Sequence, residues 1–304
     1  MKFYFPLFFL FVFNSPLNAS AGEVEDYLRQ YRESSRTDYV RETKIISEYS
    51  LDKLVAELEA FYTDTLPLMR QKAYYFTYKK GKQIPSGHRT TAVTRLVKGI
   101  GDADGGLIGQ VIGYLQAFDP ADFNAEAQSF IRSRLRNTRM PHYGGLAQLA
   151  GFAGIGKEVL YQLYLQSGLP VRTKWYIALA LARMGQADAM DYCLKKIKKL
   201  PVNSELINYG LPDLIYTRQK QAIDYCVKLL QSDKNLCRSP NPDISESISC
   251  AYGIMELLAP VIVDFPVQTD VSGTLDTDDY PQALRTVRAW LSKNTGYKIN
   301  TTTY

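Results

Sequence analysis

Histidine is nearly missing from this chain, which carries only His88 and His142 in 304 residues. Zinc sites take three or four His, Cys or carboxylate ligands at short spacings, and neither C-x-x-C nor H-E-x-x-H occurs. G-x-S-x-G is absent as well, so neither histidine has the companion of a hydrolase nucleophile. Both stand beside loop residues and read as exposed loop or cap positions. These gaps predict no catalytic set, no metal and no cofactor. Sustained two-residue alternation bounded by hairpin turns is also lacking, which predicts sheet content near zero. Past the N-terminus no stretch approaches 18 consecutive apolar residues, so no stable membrane insertion is expected. The net charge is only +5, far from a nucleic-acid footprint. Lys195, Lys196, Lys198 and Lys199 form a local basic edge without interleaved aromatics, which reads as a solvated helix face.

What is present begins with Lys2, an apolar run from Phe3 to Phe13 and a small-x-small triplet at Ala19-Ser20-Ala21. Eleven apolar residues are too few for a permanent span. Residues 1–21 therefore read as a secretory signal peptide cleaved after Ala21, giving a secreted or periplasmic protein. Loss of Lys2 with that segment lowers the net charge from +5 to +4. The four cysteines lie between 193 and 250, and an even count in an exported chain allows disulfides. Cys237 and Cys250 bracket a Ser-Pro-Asn-Pro-Asp loop that a bridge would brace. Cys193 and Cys226 are the weaker pair. They hold equivalent positions of adjacent units, whose helix axes would sit about 8–10 Å apart.

Helical periodicity fills most of the remainder. From Trp175 to Ala182 the chain is apolar almost all round, as in a buried helix. After a turn at Met184-Gly185-Gln186, Met190, Cys193, Leu194 and Ile197 make one stripe of a 3.6-residue period. Thirty-three positions on, Ile223, Cys226, Val227 and Leu230 repeat it, and Asp224-Tyr225-Cys226 echoes Asp191-Tyr192-Cys193. Earlier hairpins run from Arg89 through Gly101-Asp102 to Leu115, and through Gly154-Ile155-Gly156 to Tyr164. Recurrence at such an interval is the pattern of stacked helix pairs. Glu23–Arg36 and Leu51–Tyr62 read as two polar-faced helices capping one end. Ile244–Val263 reads as a long apolar segment broken or kinked at Pro260, Phe265–Asp279 as a loop, Pro281–Lys293 as the last helix, and Asn294–Tyr304 as a loose tail. The expected organisation is 1–21 signal peptide, 22–64 helical cap, 65–264 repeats, and 265–304 loop, helix and tail.

Pro170-Val171-Arg172 through Ala178, Leu181, Gly185-Gln186 and Ala189 resembles a HEAT-like repeat, and Arg89 to Leu115 is a second, looser likeness. The resemblance spans Leu66 to Val263 and implies an all-α solenoid of antiparallel helix hairpins. It departs near Leu206, where Thr217-Arg218 replaces the glycine turn, and at the Cys237–Cys250 insertion. Membership of that family implies a protein-binding scaffold more often than an enzyme.

Two acidic loops need separate treatment. Gly99 to Gly106 follows a helix, lacks the P-loop lysine and offers too few oxygens for calcium, so it reads as a turn whose Asp104 caps the next helix. In Asp276-Thr277-Asp278-Asp279, Asp278 or Asp279 caps the helix entered at Pro281. The 22 tyrosines combine a flat apolar body with a polar tip, which suits packing and binding surfaces alike. Tyr74, Tyr78, Arg139, His142 and Tyr143 are the candidate binding residues. The function expected is an exported, non-enzymatic scaffold for a protein or peptide. The alternative is a secreted α/α-toroid lyase or glycosidase acting on polysaccharide, with His142, Tyr143 and Arg139 as its first candidates.

Overall fold

The computed structural model describes residues 22–234, 236–239, 243, 245–270 and 272–304. The signal-peptide reading falls on residues 1–21, outside that set, as does part of the Ser-Pro-Asn-Pro-Asp loop. The described chain is predominantly helical, with a single two-stranded sheet. In order the helices are α1 (Glu23–Ser34), α2 (Tyr39–Glu48), α3 (Leu51–Glu57), α4 (Pro67–Lys82), α5 (Thr90–Lys98), α6 (Gly105–Leu115), α7 (Ala125–Leu135), α8 (Tyr143–Ala153), α9 (Lys157–Tyr164), α10 (Val171–Arg183), α11 (Ala187–Ile197), α12 (Leu211–Tyr216) and α13 (Lys220–Leu230). Strands β1 (Leu236–Arg238) and β2 (Ser247–Ser249) follow, then α14 (Cys250–Leu258) and α15 (Tyr280–Lys293). No described helix is long and apolar enough to cross a membrane.

Neighbouring helices pack in sequence. α4 lies against α6, α6 against α8, α8 against α10, α10 against α12 and α12 against α14; α3, α5, α7 and α9 pack successively in the same way. This order is compatible with a helical repeat fold. The closest pair is α8 and α10, and small residues are the reason. A Cβ added at Gly151 would stand 2.6 Å from the Ala180 Cα, and one at Gly144 would stand 2.5 Å from the Tyr176 ring. Ile177 to Ala182 are all buried, as the unbroken apolar run predicts. On α11 the stripe Met190, Cys193, Leu194 and Ile197 is buried. On α13 Ile223, Cys226 and Leu230 are buried while Val227 is only partly so.

Local chemistry sets the helix starts. Asp104 Oδ1 accepts from the Leu107 N–H at 2.8 Å, and Asp279 Oδ1 from the Gln282 N–H at 2.8 Å, so both acidic loops hold caps. Asp102 takes a two-pronged contact from Arg70 Nε and Nη2, each at 2.7 Å.

Three expectations need correction, while the sheet content and the cysteine pairing stand as expected. The cap region holds a helix not foreseen, α2, started by Asp38, which accepts from the Arg41 N–H. Sheet content is near zero, as expected, with one small pair of strands among the described residues: β1 and β2 pair antiparallel, Cys237 opposite Ile248. The apolar segment from Ile244, a residue outside the described set, is not helical throughout, because Ser247–Ser249 form β2 and α14 begins only at Cys250 behind a Ser249 cap. The Cys237–Cys250 disulfide is formed and ties β1 to the start of α14, whereas Cys193 and Cys226 are free and buried. Finally, the C-terminal segment is not loose. Val263 N–H donates to the Lys298 carbonyl at 2.9 Å and Asn300 N–H to the Val261 carbonyl at 2.8 Å, which leads residues 301–304 back onto the helices.

Candidate functional site

The returning segment marks the site. Arg183, at the end of α10, donates from Nη2 to the carbonyls of Thr301 (3.2 Å) and Thr303 (2.7 Å), and from Nη1 to the Tyr216 carbonyl (2.6 Å). Arg218, just beyond α12, donates from Nη2 to the Tyr304 carbonyl at 3.1 Å and the Thr303 hydroxyl at 3.4 Å. The Tyr304 ring sits 5.5 Å from Phe152 of α8 and 5.5 Å from Tyr216 of α12, centroid to centroid. The Arg183 guanidinium lies 5.1 Å from the Phe152 ring and 5.0 Å from the Tyr216 ring. Each aromatic pair of this kind adds about 1 kcal/mol beyond its area burial. Thr301, Thr302 and Thr303 remain exposed, so the groove grips main chain and one aromatic ring.

Electrostatics here are unusual for surface arginines. Burial draws Arg183 below its ordinary range, and burial followed by the Arg183 charge brings Arg218 down to about 10. The Arg218 Nε is buried and has no hydrogen-bond partner among the described residues. Burial raises the Tyr216 and Tyr304 hydroxyls. Tyr216 donates its hydroxyl to the Gln148 carbonyl. At Tyr304 the Asp213 charge adds to the effect of burial and Gln116 opposes it.

Asp213 continues the same face. Its Oδ2 accepts from Trp175 Nε1 at 2.6 Å. Burial raises the carboxyl above the usual carboxylate range, against the lowering effect of hydrogen bonds from Trp175 and Gln148 and of the Arg172 charge. Next to it an open cavity of about 570 Å³ is lined by His142, Tyr143, Gln148, Arg172, Thr173 and Tyr176, among others. Polar and aromatic groups on α8, α10 and α12 thus form one surface, which the C-terminal segment covers at one end.

The residues singled out from the sequence fall in different places. His142 and Tyr143 both line the cavity, yet their side chains diverge. A Cβ on Gly109 of α6 would meet the exposed His142 ring at 2.7 Å. Tyr143 is buried and donates its hydroxyl to the Leu135 carbonyl at 3.1 Å. Arg139 is exposed on the preceding turn and does not line the cavity. Tyr74 is buried, its ring 5.1 Å from Tyr62, and burial pushes its hydroxyl up to about 12. Tyr78 is partly buried and stacks on Tyr114 at 4.3 Å. Both belong to the α4–α6 packing, away from the groove. Arg183, Arg218, Phe152, Tyr216 and Tyr304 escape a sequence reading because the groove joins the C-terminal segment to residues 85 to 152 positions away. One signal was legible: Arg218 occupies a turn where the preceding unit uses Gly185.

No family model matches the chain, and no curated protein or solved structure matches it.

Proposed function

We propose that the protein is an exported, HEAT-like α-solenoid that holds a protein or peptide partner on the face formed by α8, α10 and α12, without catalysing a reaction. The observation that carries this reading is the C-terminal segment lying against that face, gripped through its carbonyls by Arg183 and Arg218. Stacked helix pairs build such a face from equivalent positions of successive units. Tyrosine and arginine are the residues that dominate binding surfaces, and Tyr176 and Arg172 stand on the cavity left open beside the segment. Export rests on the apolar run of residues 3–13 with Ala19-Ser20-Ala21, and the Cys237–Cys250 bond is compatible with an oxidising location.

The test is affinity capture from the secreted or periplasmic fraction with a photo-crosslinking residue in place of Tyr176. The expected result is one crosslinked protein, lost on Arg172→Ala. Retention on a polysaccharide resin with no crosslinked protein would overturn the proposal in favour of the toroid enzyme.

A further inference from the structure

Three features of the groove do not follow from the needs of folding. Arg218 has φ +53°, a left-handed conformation that disfavours any residue with a Cβ. The preceding unit makes its turn with Gly185 at φ +78°. Strain held where glycine would relieve it points to a use for the side chain. Second, two guanidinium groups are partly buried near one another, and among the described residues they donate to main-chain oxygens and the Thr303 hydroxyl rather than to a side-chain carboxylate. Third, the groups they meet on the C-terminal segment are the carbonyls of Thr301, Thr303 and Tyr304 and the Thr303 hydroxyl, on a stretch that bends at Thr302 and carries one ring at Tyr304.

We infer that the groove between Phe152, Arg183, Tyr216 and Arg218 is a binding site for a peptide with one aromatic anchor, and that residues 301–304 fill it as an internal stand-in for that peptide. The inference rests on the scaffold reading and names the ligand class. Contact through carbonyls makes the site tolerant of sequence between anchors. The Phe152–Tyr216 pair, with Arg183 against both rings, selects an aromatic side chain at the anchor position. The cavity beyond Tyr304, lined by Arg172 and Tyr176, gives a longer peptide room to continue. The segment competes with the partner, so the free site opens only when Tyr304 leaves.

The probe is a fluorescein-labelled peptide with the sequence of residues 297–304, amidated at its end so that it presents only carbonyls and the ring. Binding to the full chain is read by fluorescence anisotropy. Tyr304→Ala should bind it at least tenfold more tightly than the wild type, because the internal competitor has lost its anchor. Replacing the peptide's final tyrosine by alanine should reverse that gain. Arg218→Gly, placed in the Tyr304→Ala background, should weaken binding at least tenfold while leaving the melting temperature unchanged or higher, since glycine relaxes the turn. Absence of binding to a Tyr304→Ala chain that still melts cooperatively would overturn the inference. So would dimerisation of the wild type by exchange of its own segment, seen by sedimentation, without capture of the free peptide. Partner capture through Arg172 and Tyr176 is read separately, so failure here is distinguishable from failure of the scaffold reading.

Discussion

Lys72 of α4 places its Nζ 2.6 Å from Glu42 Oε1 of α2, with both side chains buried. Tyr27 of α1 donates its hydroxyl to the same carboxylate oxygen, and the ammonium lies 4.3 Å from the Tyr31 ring. Three helices of the N-terminal region thus meet on one charge pair. Removing one member strands the other in a low-dielectric site, whereas replacing both with apolar groups is often tolerated. Lys72→Met should cost about 3–5 kcal/mol of unfolding free energy, and Glu42→Leu with Lys72→Met should recover most of it. Urea titration of the three chains checks this, and equal losses for the single and double variants would contradict it.

Asp213 makes stability depend on pH in a defined direction. Its carboxyl is raised above the ordinary 3.8 by burial, so the folded state holds the proton more tightly than the unfolded state. The stability this contributes is complete below pH 3.8 and is lost as pH rises through the folded value. Asp213→Asn keeps an acceptor for Trp175 without the charge. Its melting temperature should exceed the wild type's at pH 7, with the difference vanishing at about pH 3. Parallel thermal melts across that range read the crossover.

The cysteines should divide into two pairs by reactivity. Burial pushes the Cys193 and Cys226 thiols up to about 12, leaving almost no thiolate at neutral pH. Alkylation of the native protein should label neither, and alkylation in denaturant without reductant should label these two alone. Replacing Cys237 and Cys250 by serine should cost about 3 kcal/mol, the usual effect of opening a loop of this size. Mass spectrometry and a denaturation curve give the two readouts.

Gly151 sets the distance between α8 and α10. A methyl there would meet Ala180 backbone at 2.6 Å and the Tyr216 hydroxyl at 2.5 Å, and neither is the free end of a flexible chain. Gly151→Ala should cost about 1–3 kcal/mol through overpacking. It should also loosen the C-terminal segment, because Tyr216 supports Tyr304. Faster amide exchange at residues 300–304 would register the second effect.

Most of the helical architecture was legible because it depends on local repetition. The stripe at Met190, Cys193, Leu194 and Ile197 can only be buried on one side of a helix. Asp104 and Asp279 announce helix starts through a contact spanning three residues. The missed elements have equally local causes. α2 is short, with Ile45 and Ile46 as its only buried apolar residues, and its buried Glu42 depends on Lys72 thirty residues away. The strand at Ser247–Ser249 exists because a disulfide and a partner strand hold it, and three residues carry no readable alternation of their own.

The groove lies at the other extreme. Composition and periodicity settled that this chain is helical, which faces of α10, α11 and α13 are buried, and which pair of cysteines brackets an insertion. Those outcomes follow from hydrophobic burial and from hydrogen bonds closed within a few residues. Tertiary structure alone decided that Arg183, Arg218, Phe152 and Tyr216 converge, and that the last residues return to lie among them. That convergence needs contacts across as many as 152 positions of chain, from Phe152 to Tyr304, and no local energy term reports a partner so distant.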